Sequence, residues 1–267
     1  MEALFGKDSL PLRFRPLVLS LCIALAICGC GKKESDEFAA PPAPTAVVDP
    51  ATAGSISGTV TLDGAPPAFK PIDMSAEATC MQANPSSVVP PIVVTGAHGA
   101  LANVVVYVKS GLGSYHFDIP ASPVVLDQKG CMYQPRVLAV MINQPFEVHN
   151  EDQTIHNVHP MPRVNRAWNQ SEPVGDPPIQ ASFTKPELAI TIACNIHPWM
   201  RAFLFVFAHP YFDITPKTGE FALKNLPPGT YTVEAWQEKF GAQDQSVTLG
   251  PRESKSIAFV FRAPPPH

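Results

Sequence analysis

Hydrophobic and polar residues alternate with a period of two along most of the chain beyond residue 54. Ile56, Gly58, Val60 and Leu62 alternate with polar neighbours and run into Asp63-Gly64, a turn dipeptide. Val104, Val106 and Val108 form a second such run, and Val137 to Met141 a more continuous apolar one. Phe146-Glu147-Val148-His149-Asn150, Ile190-Thr191-Ile192-Ala193-Cys194 and Phe203 to Phe207 continue the pattern. Further on come Phe221/Leu223, Tyr231/Val233/Ala235 and Ile257/Phe259/Phe261. Side chains of a strand point alternately to its two faces, so each run predicts a strand with a buried face. Pro, Gly and Asn turns separate the runs at short spacing, as in a sandwich or barrel. Only Ser75 to Ala83 predicts a helix, and a short one. The predicted fold class is all-β.

Composition agrees. Proline accounts for 31 of 267 residues, and a chain so rich in it does not build long helices. Hydrophobic residues at 45% supply a core and exclude wholesale disorder, while charged residues at only 16% argue against exposed, salt-bridged helices. With 19 Lys and Arg against 23 Asp and Glu, the chain offers no electrostatic case for a nucleic-acid partner.

The first residues read as an address. Lys7, Arg13 and Arg15 precede the apolar run Leu17 to Cys28, which is shorter than the roughly 20 residues of a membrane-spanning helix. The run ends in Ile27-Cys28-Gly29-Cys30, which resembles the bacterial lipobox, where a peptidase cuts before a cysteine that receives a diacylglyceryl group. The resemblance implies a signal peptide over 1–29 and lipidation of Cys30. It implies a place in the bacterial cell envelope, periplasmic or on the outer-membrane surface, held to the membrane through the anchor only. An ordinary secretory signal is the competing reading. Residues 30–54, with Ala40-Pro41-Pro42-Ala43-Pro44-Thr45, predict a semi-rigid linker.

Candidate chemistry sits in two short stretches. One is Asn150 to Pro160, containing His156-Asn157-Val158-His159; the other is Cys194-Asn195-Ile196-His197-Pro198-Trp199-Met200. A thiolate, an imidazole three residues on and a thioether three beyond that place soft donors on one loop. A second imidazole from a distant strand completes a His₂Cys set with a weak axial Met, the donor set of a blue-copper electron-transfer site. Zinc is the weaker reading, because methionine is a poor zinc ligand and paired thiolates are absent. The alternation Ile190, Ile192, Cys194 predicts a sulfur on the buried face.

These residues resemble the cupredoxin family, in its amicyanin and plastocyanin branch, over roughly Val124 to Phe207. The resemblance implies a Greek-key β-sandwich holding one Cu(II)/Cu(I) ion through His156, Cys194, His197 and Met200. Asn157 would brace the cysteine loop by hydrogen bonding, and the exposed edge of His197, beside Pro198 and Trp199, would be the electron port. Two features depart from the family pattern: His159 is a competing imidazole, and Met161 to Thr184 is a long, Pro-rich insertion. Residues three apart on a strand face opposite ways, so one histidine only is expected to enter the site; His156 is preferred, with the strand ending at Pro160.

Of the six cysteines, Cys22 and Cys28 fall in the signal and Cys30 at its end. In an oxidising compartment the leftover Cys80 and Cys131 predict a disulfide; the competing reading is a second metal site with His149 or His159.

His209 to Trp236 resembles a carboxypeptidase regulatory-like, transthyretin-type β-sandwich, without a zinc-peptidase signature, which implies a scaffold or binder. Ser55 to Gly64 and Leu101 to Val108 resemble opening strands of the same sandwich. The expected organisation is a copper domain over 55–207 followed by a small sandwich over 208–263. In the alternative, 55–119 and 208–263 form one sandwich with the copper unit inserted. Tyr231 and Trp236 read as core, with a carbohydrate platform as the weaker reading. The expected function is single-electron transfer to a redox protein partner. Competing readings are copper storage or delivery, and a surface binding module with a structural metal. An enzyme is not expected: the His-x-His pairs of multicopper oxidases and a Cys-x-x-Cys-His haem motif are both absent.

Overall fold

A computed structural model describes residues 46–264. The signal segment 1–29, the candidate lipidation site Cys30 and most of the 30–54 linker lie outside the described residues. The described chain is all-β apart from a single-turn 3₁₀ segment and one short α-helix.

In chain order the elements begin with β1 (Gly54–Asp63), α1 (Ala78–Ala83), β2 (Val105–Ser110), β3 (Val124–Gln128) and β4 (Tyr133–Gln134). There follow β5 (Val137–Met141), β6 (Phe146–Asn150), β7 (His156–Met161), β8 (Gln170–Glu172), β9 (Ile179–Ala181), β10 (Glu187–Ala193) and β11 (Arg201–Phe207). The last are β12 (Phe212–Ile214), β13 (Glu220–Leu226), β14 (Gly229–Gln237), β15 (Gly241–Leu249) and β16 (Ser254–Arg262).

Four sheets result. Two draw on residues near both ends of the described chain: β13-β1-β16 and β12-β2-β14-β15. The other two draw on the middle: β5-β11-β10-β7-β8 and β4-β3-β6-β9. Most pairings are antiparallel, but β1 runs parallel to β16, β5 to β11 and β3 to β6. Gly58 is required at the β1–β16 contact: a Cβ there would stand 1.8 Å from the Ile257 carbonyl oxygen.

Each sheet pair encloses an apolar layer. Ile56, Val60, Val104, Val106, Val108, Tyr231 and Phe259 fill the first; Leu138, Phe146, Val148, Ile190, Ile192 and Leu204 fill the second. A third layer joins them, because β2 is buried on both faces. Its even positions enter the first core, while Val105 and Tyr107 meet Val137, Ala139, Phe205 and Phe207. The apolar runs of β5 and β11 divide in the same way, with Leu138 and Leu204 on one side and Val137 and Phe205 on the other. A continuous apolar run is the signature of a strand covered on both faces. Burying each large side chain contributes about 1.5–3 kcal/mol, so the shared layer is a substantial glue.

Tyr231 and Trp236 occupy opposite faces of β14. Tyr231 is buried in the first core, and Trp236 packs edge-on against Phe203 and Phe205 at 5.4 and 4.9 Å. The two rings therefore form no shared platform for a sugar.

Candidate metal centre

The register of β7 against β10 pairs Ala193 with His159 and Ile192 with Pro160. Continuing that alignment carries Cys194 past the end of β10 toward Val158 and His156. Ile190, Ile192 and Cys194 are all buried, as their alternation requires. Beyond Cys194 the chain folds back in a tight loop: Met200 N–H donates to His197 O at 2.9 Å, and Cys194 N–H to Met200 O at 3.3 Å. The His197 N–H points at Cys194 Sγ, 3.3 Å away.

Three soft donors meet inside this fold. The Nδ1 atoms of His156 and His197 are 2.9 Å apart, and Cys194 Sγ lies 3.9 Å from His197 Nδ1. All three ligand atoms fall within 4.8 Å of one another, and all three residues are buried. At 2.9 Å the two ring nitrogens must share one proton or a cation, since two facing lone pairs repel. On its far side His156 Nε2–H donates to Asp152 Oδ2 at 2.8 Å, which leaves the Nδ1 lone pair facing inward.

Electrostatics favour the metal-binding state at Cys194 and His197, and a protonated ring at His156 whose proton an incoming metal must displace. Burial raises the Cys194 thiol, but hydrogen bonds from His156 and from the N–H groups of His197, Ile196 and Asn157 outweigh it and hold the thiol below its ordinary value. Burial, reinforced by the neighbouring His156 charge, lowers His197 and keeps it neutral. Burial also disfavours the His156 cation, yet Asp152 and Cys194 more than offset this and raise it. A ready thiolate beside imidazoles is what a soft or borderline cation needs. The donor set fits copper.

Met200 is fully buried in the same core as Cys194. Asn157 Oδ1 accepts the Asn195 N–H at 3.0 Å, so the strand bearing His156 holds the loop bearing Cys194. His159 lies outside: it is partly exposed, with Nδ1 3.3 Å from Asn195 Oδ1. Cys80 and Cys131 form a disulfide, and Cys194 is the one free cysteine among the described residues. His149 instead bonds Glu147 at 3.0 Å.

Two expectations are corrected. His197 has no exposed edge: it is 0% accessible, covered by Cys80 Sγ at 3.8 Å, Glu77 Oε2 at 4.0 Å and the Trp199 ring at 5.2 Å. The disulfide draws α1 over the place where an open histidine was expected, a long-range contact no local motif announces. Second, β7 does not stop at Pro160 but runs to Met161. Strand β8 pairs only with His156 to Val158, so Pro160 is unpaired on that side of β7 while it stays in register with Ile192 of β10 on the other.

Asp152 escaped the sequence reading. An acidic residue four positions before a ligand-type histidine, in a short loop, was the available signal.

No protein-family model matches the chain, and no curated protein matches it. Solved structures similar to part of it include a Cu-containing nitrite reductase (NirK) from Thermus scotoductus SA-01, at 20% identity and TM-score 0.31 over 38% of this chain. The match spans about a quarter of that reductase, 26% of its length. Others are a purple cupredoxin from Nitrosopumilus maritimus, at 20% identity and TM-score 0.25 over 28% of this chain and 81% of that one, and a methionine-to-alanine variant of amicyanin in its Cu(I) state. The amicyanin match has 20% identity and TM-score 0.28 over 39% of this chain and 98% of that one.

Proposed function

We propose that this chain is a lipid-anchored type 1 copper protein of the bacterial cell envelope, passing single electrons to a redox protein partner. The observation that carries the reading is the convergence of His156 Nδ1, His197 Nδ1 and Cys194 Sγ in one buried pocket. Copper held there, one ion per chain, supplies reversible Cu(II)/Cu(I) chemistry. The Cys194 thiolate and the two imidazoles would be the strong donors, and the buried Met200 thioether would be a weaker one that tunes the potential. The apolar layer around Ile192 and Val158 excludes water from the sulfur. With His197 sealed, the partly exposed indole of Trp199, 5.2 Å from the His197 ring, is the outlet to the partner.

In this reading Cys30 carries the anchor and the 30–54 segment is the tether. Residues 55–119 and 208–263 act as a scaffold sandwich into which the copper unit is inserted. The protein carries electrons and has no organic substrate.

Loading with Cu(II) tests the assignment. Wild type should develop an intense visible thiolate-to-copper band that bleaches on reduction and returns on oxidation. Cys194→Ser should bind without that band, because an alcohol does not ionise near neutral pH. Colour that survives in the variant would remove the copper assignment, and colour that cannot be cycled would favour storage over transfer.

A further inference from the structure

The Cys80–Cys131 disulfide touches the candidate centre at both imidazoles. Gly130 and Cys131 are consecutive left-handed residues, with φ of +63° and +53°. Two such residues turn their N–H groups the same way and form an anion cradle. The cradle is filled: Gly130 N–H donates to Asp152 Oδ1 at 2.6 Å and Cys131 N–H to Asp152 Oδ2 at 2.7 Å. Asp152 in turn accepts from His156 Nε2 at 2.8 Å. The Cys131 carbonyl accepts the Trp199 indole N–H at 2.9 Å, and that ring lies against His197. At the other end of the bridge, Cys80 Sγ stands 3.8 Å from His197 Nε2.

A non-glycine residue held at positive φ persists only where its surroundings over-determine it. At Cys131 the covalent bridge to α1 does so. We propose that the Cys80–Cys131 disulfide is a positioning device for the metal centre, fixing both imidazoles with Nδ1 inward before any metal arrives. It acts on His156 through the Asp152 cradle and on His197 by direct packing of Cys80 and Trp199. Its value to metal affinity rests on the copper reading above, whereas the ring positioning does not.

The test has a metal-free arm. In protein labelled with ¹⁵N-histidine, at a pH where the ring is neutral, wild-type His156 should show a single Nε2–H tautomer, with an unprotonated-type shift at Nδ1. The double variant Cys80→Ala/Cys131→Ala should retain β-sheet circular dichroism but give averaged His156 shifts. Its copper affinity should fall about 10- to 100-fold, the usual cost of losing a partner that orients a ligand. A merely structural disulfide would lower the melting temperature and leave the His156 shifts and the affinity unchanged, which would overturn the proposal.

If the double variant does not fold, Asp152→Ala tests the link through which the bridge reaches His156, with the bridge intact. Its His156 shifts should average while the disulfide persists, and an unchanged single tautomer there would likewise overturn the proposal. A wild type with the fixed tautomer but no copper band would refute the function and leave the positioning standing.

Discussion

Asn157 holds Asn195: its Oδ1 accepts the Asn195 backbone N–H at 3.0 Å, tying the strand that presents His156 to the loop that presents Cys194. The amide is used fully. Its Nδ2 donates to Gln170 O at 3.2 Å and also to Asn169 Oδ1, so one side chain fastens β7, β8 and the ligand loop together.

Asn157→Ala should therefore cost about 1–3 kcal/mol, the usual penalty for stripping a buried hydrogen-bonding group. Metal-free protein should melt several degrees lower. In copper-loaded protein the thiolate band should shift or weaken, because the loop carrying Cys194 and His197 has lost its tie. Thermal melting and visible absorbance check the two effects. A lowered melting point with an unmoved band would mean that Asn157 braces the fold and not the site.

The two histidines of β7 separate cleanly by burial: His156 is fully enclosed and His159 is partly exposed. His156→Ala should abolish the blue-copper spectrum, since it removes one of three converging donors. His159→Ala should leave it largely intact. Loss of the spectrum in both variants would require a larger or two-metal site.

Much of this was legible locally. Ile56 to Leu62 and Phe146 to Asn150 alternate so regularly that β1 and β6 follow from side-chain period alone. The Cys194, His197, Met200 spacing and the His156-Asn157 pair likewise announce their chemistry within a few residues. By contrast β15, Gly241–Leu249, carries no apolar alternation: Gly241-Ala242 and the polar run Gln243 to Ser246 precede Val247 and Leu249, and the strand is an edge that pairs only with β14. The seal over His197 was also illegible. It depends on Glu77 and Cys80, more than a hundred residues upstream, and on a covalent bridge that returns them. Local patterns report faces and ligands; closure of a site depends on pairings distant in sequence.

A buried ion pair joins the middle of the chain to its C-terminal part. Arg136 Nη2 bonds Glu238 Oε1 at 2.8 Å and its Nε bonds Oε2 at 2.5 Å, with side chains only 7% and 8% exposed. Arg136 also donates to Arg201 O at 3.2 Å and lies over the Phe203 ring. Arg136→Met should destabilise by about 3–5 kcal/mol, because it leaves the Glu238 carboxyl group buried without its partner. The double variant Arg136→Met/Glu238→Leu should recover much of that loss. Chemical denaturation of the four proteins closes the cycle, and additive effects would show that the pair is solvated and independent.

His209 makes the fold sensitive to mild acid. It packs between Phe207 and Tyr211, with ring centroids at 5.6 and 6.0 Å, and its Nδ1 accepts the Tyr211 N–H at 3.2 Å. Burial pushes its pKa down from 6.5 to about 4, so the folded protein keeps the ring neutral where the unfolded chain protonates it. Between those values the unfolded state binds more protons, and stability falls as the pH drops. The contribution is fully present above about pH 6.5 and is lost progressively toward pH 4. Between pH 7.5 and 5 the loss amounts to about 2 kcal/mol. His209→Gln keeps an acceptor for Tyr211 N–H but cannot titrate. Urea unfolding of metal-free protein should therefore show the wild-type advantage over His209→Gln shrinking by about that amount across the interval. Parallel pH profiles for the two proteins would mean that His209 titrates normally and that its ring is solvated.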